Sequence, residues 1–465
     1  MSVFDSKRLP CSTFKLDVER MRRGWYSDKY FANTATVLAE LSARGYTFSG
    51  HAPSLASRGV DIGDIDTGDI RVEMQYFTRR SPYSVVVGVD KALAILKECT
   101  GFFDVSGKWV STFHQLEVSA VHDGFLAPYS GDPRKVTPVL KIRGRYRDFA
   151  ILETPTLGAL TRASRVATNV YEVQIAAGEK QVLFFPARFD AHEVQAADGY
   201  AYHIAVQLYN QTSGHTISST VSTDEQGDWW GGAGGGTVSH AAIACFLGDT
   251  AETVLQFASV LPPHVQRIAL VDFNNDCVAD SLATMKAMFQ RYMELEDAGK
   301  HEEAARYVLY GVRPDTGSNL VDVSIEPFGD RKLDRGVNAR LVFKLRREID
   351  RAYESWHVPF TWLERAKEYC RNVKITVTGG FTPEKIRDFE ENGVPADVYG
   401  VGSYLFSNSA DNSTNNDFTA DIVRIEIGGV WHDLHKVGRR PCDNPALLPV
   451  DWNTISGLRE SPCSM

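Results

Sequence analysis

Residues 374–406 read KITVTGGFTPEKIRDFEENGVPADVYGVGSYLF, an order that few architectures accept. Positions 374–378 are rich in β-branched residues, which predicts a strand. Gly379 and Gly380 end it, and glycine lets a backbone approach a ligand closely. Thr382 is placed to cap a helix with Pro383 at its first position, and Gly393 closes that helix. Residues 396–399 predict a second strand, and Gly400, Gly402 and Ser403 form a second bare turn. Two successive strands that end in glycine turns present free N–H groups to an anion. The last strands of a β/α barrel hold a phosphate in this way. Diglycine turns are also common in ordinary βα units, so spacing alone leaves both readings open.

The chain has 465 residues, too many for one core, and two domains are the natural expectation. Strand-like runs at 71–78, 83–89, 115–121 and 136–143 dominate the first part and predict an N-terminal α+β domain over 1–150. A helix is expected from residue 33, with Tyr30 and Phe31 just before it or in its first turn. From 151 to 410 strands and helices alternate, which predicts a parallel sheet or barrel. The expected helices are 152–178, 192–209, 281–295 and 338–353. The expected strands are 181–185, 243–246, 267–272 and 307–313, followed by the two of the opening stretch. Residues 211–236, QTSGHTISSTVSTDEQGDWWGGAGGG, interrupt this series and are expected to form a lid, a binding loop or a partly disordered segment. Residues 411–465 are expected to fold back onto the first domain.

A net charge of -9 without a basic run argues against nucleic acid as a partner. An anionic substrate would then need local arginines. Seven cysteines lie scattered, Cys11, Cys99, Cys245, Cys277, Cys370, Cys442 and Cys463, with no CxxC pair. An odd, dispersed set fits the reduced thiols of a cytosolic enzyme better than a disulfide framework or a zinc knuckle. MSVFDSKRLP lacks the apolar core of a signal peptide. No apolar run approaches the roughly 20 residues needed to cross a membrane. The expectation is a cytoplasmic protein with no membrane partner.

Function in a barrel sits where strands end. Arg188 follows the strand at 181–185. Asp272 ends the run at 267–272, and Asn274, Asn275 and Asp276 come after it. Arg313 precedes Asp315, Thr316, Gly317 and Ser318, and His240 follows a glycine turn at Gly236. Arginine grips carboxylate or phosphate with a two-pronged fork. Aspartate accepts from sugar hydroxyls or holds a magnesium that bridges diphosphate oxygens. Singly, each has an ordinary alternative: Asp272 as a strand-end cap, Arg313 in a structural ion pair, His240 as a core histidine. Their gathering at strand ends sets the group apart.

GTVSH (236–240), ALVDF (269–273), RPDTG (313–317), TGGF (378–381) and DVYGVGS (397–403) carry a resemblance to the nicotinate phosphoribosyltransferases, in their order and spacing. SDKYF (27–31), LET with LG (152–158) and ATN (167–169) match the N-terminal segments of that family. The combination of RPDTG, GGF and GVGS is specific, whereas any one alone is weak. The resemblance implies an α/β class protein of the type II phosphoribosyltransferase kind: an irregular α/β barrel with an N-terminal α+β domain completed by the C-terminal tail. A homodimer with shared active sites is also implied.

By the same resemblance His240 is the histidine that ATP transiently phosphorylates, with Thr237 of its segment in the substrate-binding set. Asp272 and Asp315 match aspartates at the ribose hydroxyls and the Mg2+ of phosphoribosyl pyrophosphate. Arg188 and Arg313 match arginines at the nicotinate carboxylate or the diphosphate. Gly379, Gly380, Gly402 and Ser403 match the 5′-phosphate cradle. Tyr30 matches a tyrosine that stacks on the pyridine ring from a second subunit. Three departures stand out. Phe189 follows Arg188 where the family often has a second arginine. Ser318 stands where many members have aspartate or asparagine. Asp249 resembles an acid that nicotinamide-using relatives set against the amide.

The implied reaction joins nicotinate to phosphoribosyl pyrophosphate, giving nicotinate mononucleotide and diphosphate, coupled to ATP hydrolysis. The alternatives are a nicotinamide or quinolinate phosphoribosyltransferase, or a non-catalytic nucleotide sensor on the same fold. Quinolinate would want more basic residues for its two carboxylates. Joint presence of His240, Asp272 and Asp315 disfavours the sensor. A barrel aldolase or isomerase would need a lysine or paired glutamates that are missing from this set.

Overall fold

The computed structural model describes residues 7–236, 238–411 and 413–455. The chain forms two compact units, one of 1–169, 200–208 and 407–465, the other of 170–199 and 209–406. The first unit opens with a helix Lys29–Ala43 and strands β1 (Arg71–Thr78), β2 (Tyr83–Val86), β3 (Gly101–Phe103), β4 (Trp109–Ser111), β5 (Glu117–Ala120), β6 (Phe125–Pro128) and β7 (Leu140–Arg145). β1 is central and pairs antiparallel with β7, which pairs with β5. Val72, Met74 and Tyr76 alternate onto one face of β1 and join a core with Leu93, Leu96, Leu140, Ile142 and Phe149. β2 pairs with β6, and Ser164 and Thr168 of the helix Glu153–Ala177 accept hydrogen bonds from the Val87 and Val85 amides.

The second unit is built on β8 (Gln181–Phe184), β9 (Ile268–Leu270), β10 (Gly311–Arg313), β11 (Lys374–Val377) and β12 (Val398–Val401). They form a parallel ladder in the order β8-β12-β11-β10-β9. Their near-continuous burial is what a parallel sheet covered by helices requires. The class is therefore mixed α/β, with a parallel and an antiparallel sheet. Strand pairing among the described residues leaves the ladder open, extended beyond β8 by single bridges Phe184↔Val221 and Val221↔Gly234.

Two expectations are corrected here. The apolar run 243–246 is not a strand; it belongs to the helix His240–Cys245, whose Ser239 cap accepts from the Ala242 amide. Alanine-rich HAAIAC favours helix, and so short an apolar run carries no periodicity to tell the two apart. Residues 211–236 carry defined local structure, which replaces the expectation of partial disorder. Helix Gln195–Ser213 runs into it and ends at Gly214, at φ 77°. Thr223 and Gln226 form a capping box for the short helix Asp224–Gly227, and the Trp230 indole donates to Gln226 O at 2.8 Å. Gly199 lets that helix lie against the loop, because a Cβ there would stand 2.0 Å from Gln226 O.

The chain then returns to the first unit as β13 (Phe418–Ile427), β14 (Val430–Asp433) and β15 (Leu448–Pro449). β13 pairs antiparallel with β1 along its length, and β15 adds to the far edge beside β5. This return explains two buried polar side chains on β1. Glu73 meets Arg424 at 2.8 Å and Arg143 at 2.6 Å. Gln75 donates to Arg440 O at 3.1 Å and accepts from the Cys442 amide at 3.0 Å. Such groups are tolerated inside only when paired.

Glu153, at the start of its helix, is a buried acid. Burial pushes its carboxyl up to about 8, and the charges of Asp421 and Asp28 add to the rise. The folded state therefore holds this proton through a range where the unfolded chain has lost it. Its favourable contribution is complete below the ordinary glutamate range and is lost as pH climbs toward about 8. Glu153→Gln is expected to stabilise the protein at pH 8.5 by on the order of 2–4 kcal/mol and to change little at pH 4.5. Urea unfolding at the two pH values reads this; an equal effect at both would contradict a neutral Glu153.

Candidate active site

Asp272, Arg313, Asp315 and the two glycine turns sit at the C-terminal ends of strands of one parallel ladder, the edge where α/β folds place ligands. Asp272 comes two residues after β9, Asp315 two after β10, Gly379 two after β11, and Gly402 directly after β12. The order β12-β11-β10-β9 lays glycine turn, glycine turn, Arg313 with Asp315, and Asp272 side by side.

Arg313 ends β10 and is largely buried, its side chain 12% exposed. Its Nη2 donates to Val238 O at 3.2 Å; its Nη1 donates to Thr378 Oγ1 at 3.3 Å and stands 3.5 Å from Asp315 Oδ2. Among the described residues Nε has no hydrogen-bond partner. Burial lowers the guanidinium's pKa; Asp315 and Asp272 act against that, and Arg188 reinforces it. Thr378, buried at the end of β11, donates to Asp315 Oδ1 at 2.8 Å. A single hydroxyl thus links the arginine, the aspartate and the diglycine turn that follows it.

Gly379 and Gly380 have φ of 93° and 68°, the left-handed region that side chains rarely adopt. Gly400 is demanded by space instead, since a Cβ there would stand 2.5 Å from Thr378 Cγ2. A side chain at Gly402 would meet the Phe189 ring at 2.8 Å. Helix Pro383–Glu391 begins after the diglycine turn, capped by Thr382, whose hydroxyl accepts from the Lys385 amide. Ser403 opens a 3-10 turn, Ser403–Phe406, and is exposed.

His240 is the first residue of its helix, and its side chain is 50% exposed. Its Nε2 lies 3.1 and 3.2 Å from the two carboxylate oxygens of Asp272, whose side chain is 9% exposed. A carboxylate only accepts, so this contact is made by Nε2–H, and Nδ1 takes no part in it. Burial raises the Asp272 carboxyl above its ordinary range; His240 opposes this and Asp315 adds to it. Arg188 is exposed, its guanidinium 5.3 Å from the centre of the Phe189 ring. Thr237 lies outside the described residues.

Tyr30 belongs to the first unit, in the first turn of helix Lys29–Ala43. Its ring is 62% exposed and its hydroxyl is 3.4 Å from Asp28 Oδ2. Asp249 caps the helix Thr250–Val260, accepting from the Glu252 amide at 2.9 Å. That gives the acid a structural task independent of any ligand. Two residues of the site were not picked out as such from the sequence. Thr378 had a signal, a hydroxyl closing a β-branched strand before two glycines. Lys385 had none: its Nζ donates to Gly379 O at 3.3 Å, with the Phe381 ring 4.1 Å away.

Among the described residues no group of three or more His, Cys, Asp or Glu side chains gathers as a metal-ligand set. A magnesium ion rarely asks for one, being held by one or two carboxylates together with substrate phosphates. Asp272 and Asp315, which feel each other's charge, fit that kind of site.

No protein-family model matches the chain. Over 132 residues it is 33% identical to nicotinate phosphoribosyltransferase 1 of Arabidopsis thaliana; the match covers 28% of this chain and 21% of that one. The chain thus matches about a fifth of the length of this curated relative. A solved nicotinate-nucleotide pyrophosphorylase from Pyrococcus furiosus superposes with TM-score 0.58 at 24% identity, covering 95% of this chain and 86% of that one. Human nicotinic acid phosphoribosyltransferase superposes with TM-score 0.52 at 17% identity, covering 87% and 75%. The chain is similar to nicotinate phosphoribosyltransferases and has the fold that they share with the pyrophosphorylase.

Proposed function

We propose that this protein is a nicotinate phosphoribosyltransferase, which joins nicotinate to phosphoribosyl pyrophosphate and releases diphosphate. The observation that carries this is the row of glycine turns, Arg313 with Asp315, and Asp272 along one ladder edge. It offers a phosphate cradle next to two carboxylates and a cation, the set that a phosphorylated sugar with a charged leaving group needs.

The pyridine nitrogen attacks C1 of the ribose as diphosphate leaves, through a cation-like sugar. Little covalent help is required; holding both partners in line and balancing charge are what the site supplies. The amides of Gly379, Gly380, Gly402 and Ser403 hold the 5′-phosphate. Asp315, fixed by Thr378, accepts from the ribose hydroxyls with Asp272. Arg313 has its fork committed to Val238, Thr378 and Asp315, so its part is a fixed positive charge beside the leaving group. Arg188, exposed and lying along Phe189, is the arginine open to the nicotinate carboxylate. Asp272 and Asp315 would hold a magnesium ion, which would supply positive charge to balance the diphosphate.

ATP coupling belongs to the same proposal. His240 presents Nδ1 to the γ-phosphate of ATP, with Asp272 holding the opposite nitrogen. The finer architecture is proposed likewise: a barrel closed beyond the five-stranded ladder, a homodimer, and a cytoplasmic location in pyridine nucleotide salvage. In that dimer Tyr30 stacks on the pyridine bound by a neighbouring copy, which its exposure permits. Mixing inactive Tyr30→Ala with inactive Asp315→Asn chains is then expected to recover roughly a quarter of the wild-type rate, since one hybrid site carries neither change. No recovery in verified mixed dimers would assign Tyr30 to its own chain.

Likeness to the pyrophosphorylase makes quinolinate the competing acceptor, and Asp249 makes nicotinamide another. Offering nicotinate, nicotinamide and quinolinate in turn, with phosphoribosyl pyrophosphate and magnesium, tests the choice. Nicotinate is expected to give the highest kcat/KM, and preference for either of the others would replace the proposed acceptor.

A further inference from the structure

The diglycine turn has a conformational weakness. With no Cβ on Gly379 or Gly380, little opposes rotation of the peptide between them, and a rotated peptide would turn its N–H away from an anion. A trans peptide carries its C=O and N–H on opposite sides. Whatever grips the Gly379 oxygen therefore sets the direction of the Gly380 amide. Lys385 makes that grip: its Nζ donates to Gly379 O at 3.3 Å.

The lysine is itself held. It lies in the first turn of helix Pro383–Glu391, which Thr382 caps directly after the glycine turn. Its ammonium sits 4.1 Å from the centre of the Phe381 ring and 5.9 Å from that of Phe389. Both rings are buried and packed edge to face, with centroids 5.1 Å apart. The faces of two fixed rings and one carbonyl thus confine a side chain that is otherwise flexible.

We propose that Lys385 is a positioning residue for the phosphate cradle: by holding the Gly379 carbonyl it keeps the Gly380 amide turned toward the 5′-phosphate of phosphoribosyl pyrophosphate. This rests on the reaction proposed above. It adds a residue that touches the glycine turn and acts on the ligand through it.

A pH signature follows. Burial alone brings the ammonium down to about 8. The groups facing it from the glycine turn and from its own helix are the carbonyl and the two rings, and no charged group contributes to the shift. Below about pH 8 the bond to Gly379 O is charge-assisted, and above it a neutral amine is left with a weaker one.

The test measures KM for phosphoribosyl pyrophosphate, kcat and melting temperature between pH 6.5 and 9.5 in wild type, Lys385→Met and Lys385→Arg. At pH 7 Lys385→Met is expected to raise this KM about tenfold, with kcat within about twofold. Wild-type KM should climb as pH passes about 8. That climb should be absent from Lys385→Met, and Lys385→Arg should keep a low KM with no climb in this range. Calorimetric titration with phosphoribosyl pyrophosphate and magnesium reads the same affinities without turnover. A wild type that binds but makes no product would remove the reaction and leave this role standing. Equal affinities and matching pH profiles in wild type and Lys385→Met would overturn it, whatever the catalytic outcome.

Discussion

Asp315→Asn is expected to lower kcat/KM for nicotinate mononucleotide formation at least a hundredfold, about 2.7 kcal/mol in the transition state. The carboxylate has three tasks in the account. It receives the Thr378 hydroxyl at 2.8 Å, faces Arg313 at 3.5 Å, and accepts from the sugar whose C1 becomes cation-like. Asparagine keeps the size and one acceptor but loses the charge. Arg313 is then a buried cation missing a counter-charge, and the developing positive sugar loses its balance. Asp315 is itself 27% exposed, so the melting temperature should move by only about 2 °C. A loss of activity accompanied by collapse of the fold would point to a structural ion pair. Near-full activity in a folded variant would remove Asp315 from the reaction.

His240→Ala is expected to abolish ATP stimulation and acid-labile phosphate incorporation while slow ATP-independent synthesis continues. Half of the imidazole is exposed and Asp272 engages Nε2, so the proposed nucleophile is Nδ1. In the proposed reading, phosphorylation there would add charge beside Asp272 and bear on substrate affinity and product release, as coupling between sites rather than a step in the bond exchange. Incorporation of γ-phosphate label into wild type, stable to base and lost in acid, should vanish in the variant. Undiminished ATP stimulation would return His240 to a structural role. Asp272→Asn should lose at least tenfold in turnover and part of the ATP effect, because the proposed mechanism gives this residue to both sugar and histidine.

What could be read in the chain and what could not divide along physical lines. Gly379 and Gly380 were legible as the turn that ends a strand, and the structure adds the positive φ that makes glycine the fitting residue there. The capping of the following helix by Thr382 and Pro383 was legible for a similar, local reason. Arg313 and Asp315 were legible as residues beyond a strand end, although their mutual contact through Thr378 depends on the neighbouring strand. The helix at His240 was not legible, because the four-residue apolar run 243–246 looks the same in either state. Order in 211–236 was hidden as well, since it depends on Gly199 and Val221 meeting residues far along the chain. The pairing of Glu73 and Gln75 on β1 was hidden too, because Arg424, Arg440 and Cys442 come from the last fifty residues. Lys385 was one lysine among many on an amphipathic helix, and only the fold brings it to the carbonyl of Gly379.

The most direct measurement incubates purified protein with nicotinate, phosphoribosyl pyrophosphate and magnesium, without ATP, and quantifies both products. The account predicts nicotinate mononucleotide and diphosphate in a one-to-one ratio, at a rate that ATP increases and Asp315→Asn reduces at least a hundredfold. Tight binding of phosphoribosyl pyrophosphate with neither product formed, for nicotinate or any other pyridine carboxylate or amide, would contradict it and leave a nucleotide sensor on this fold.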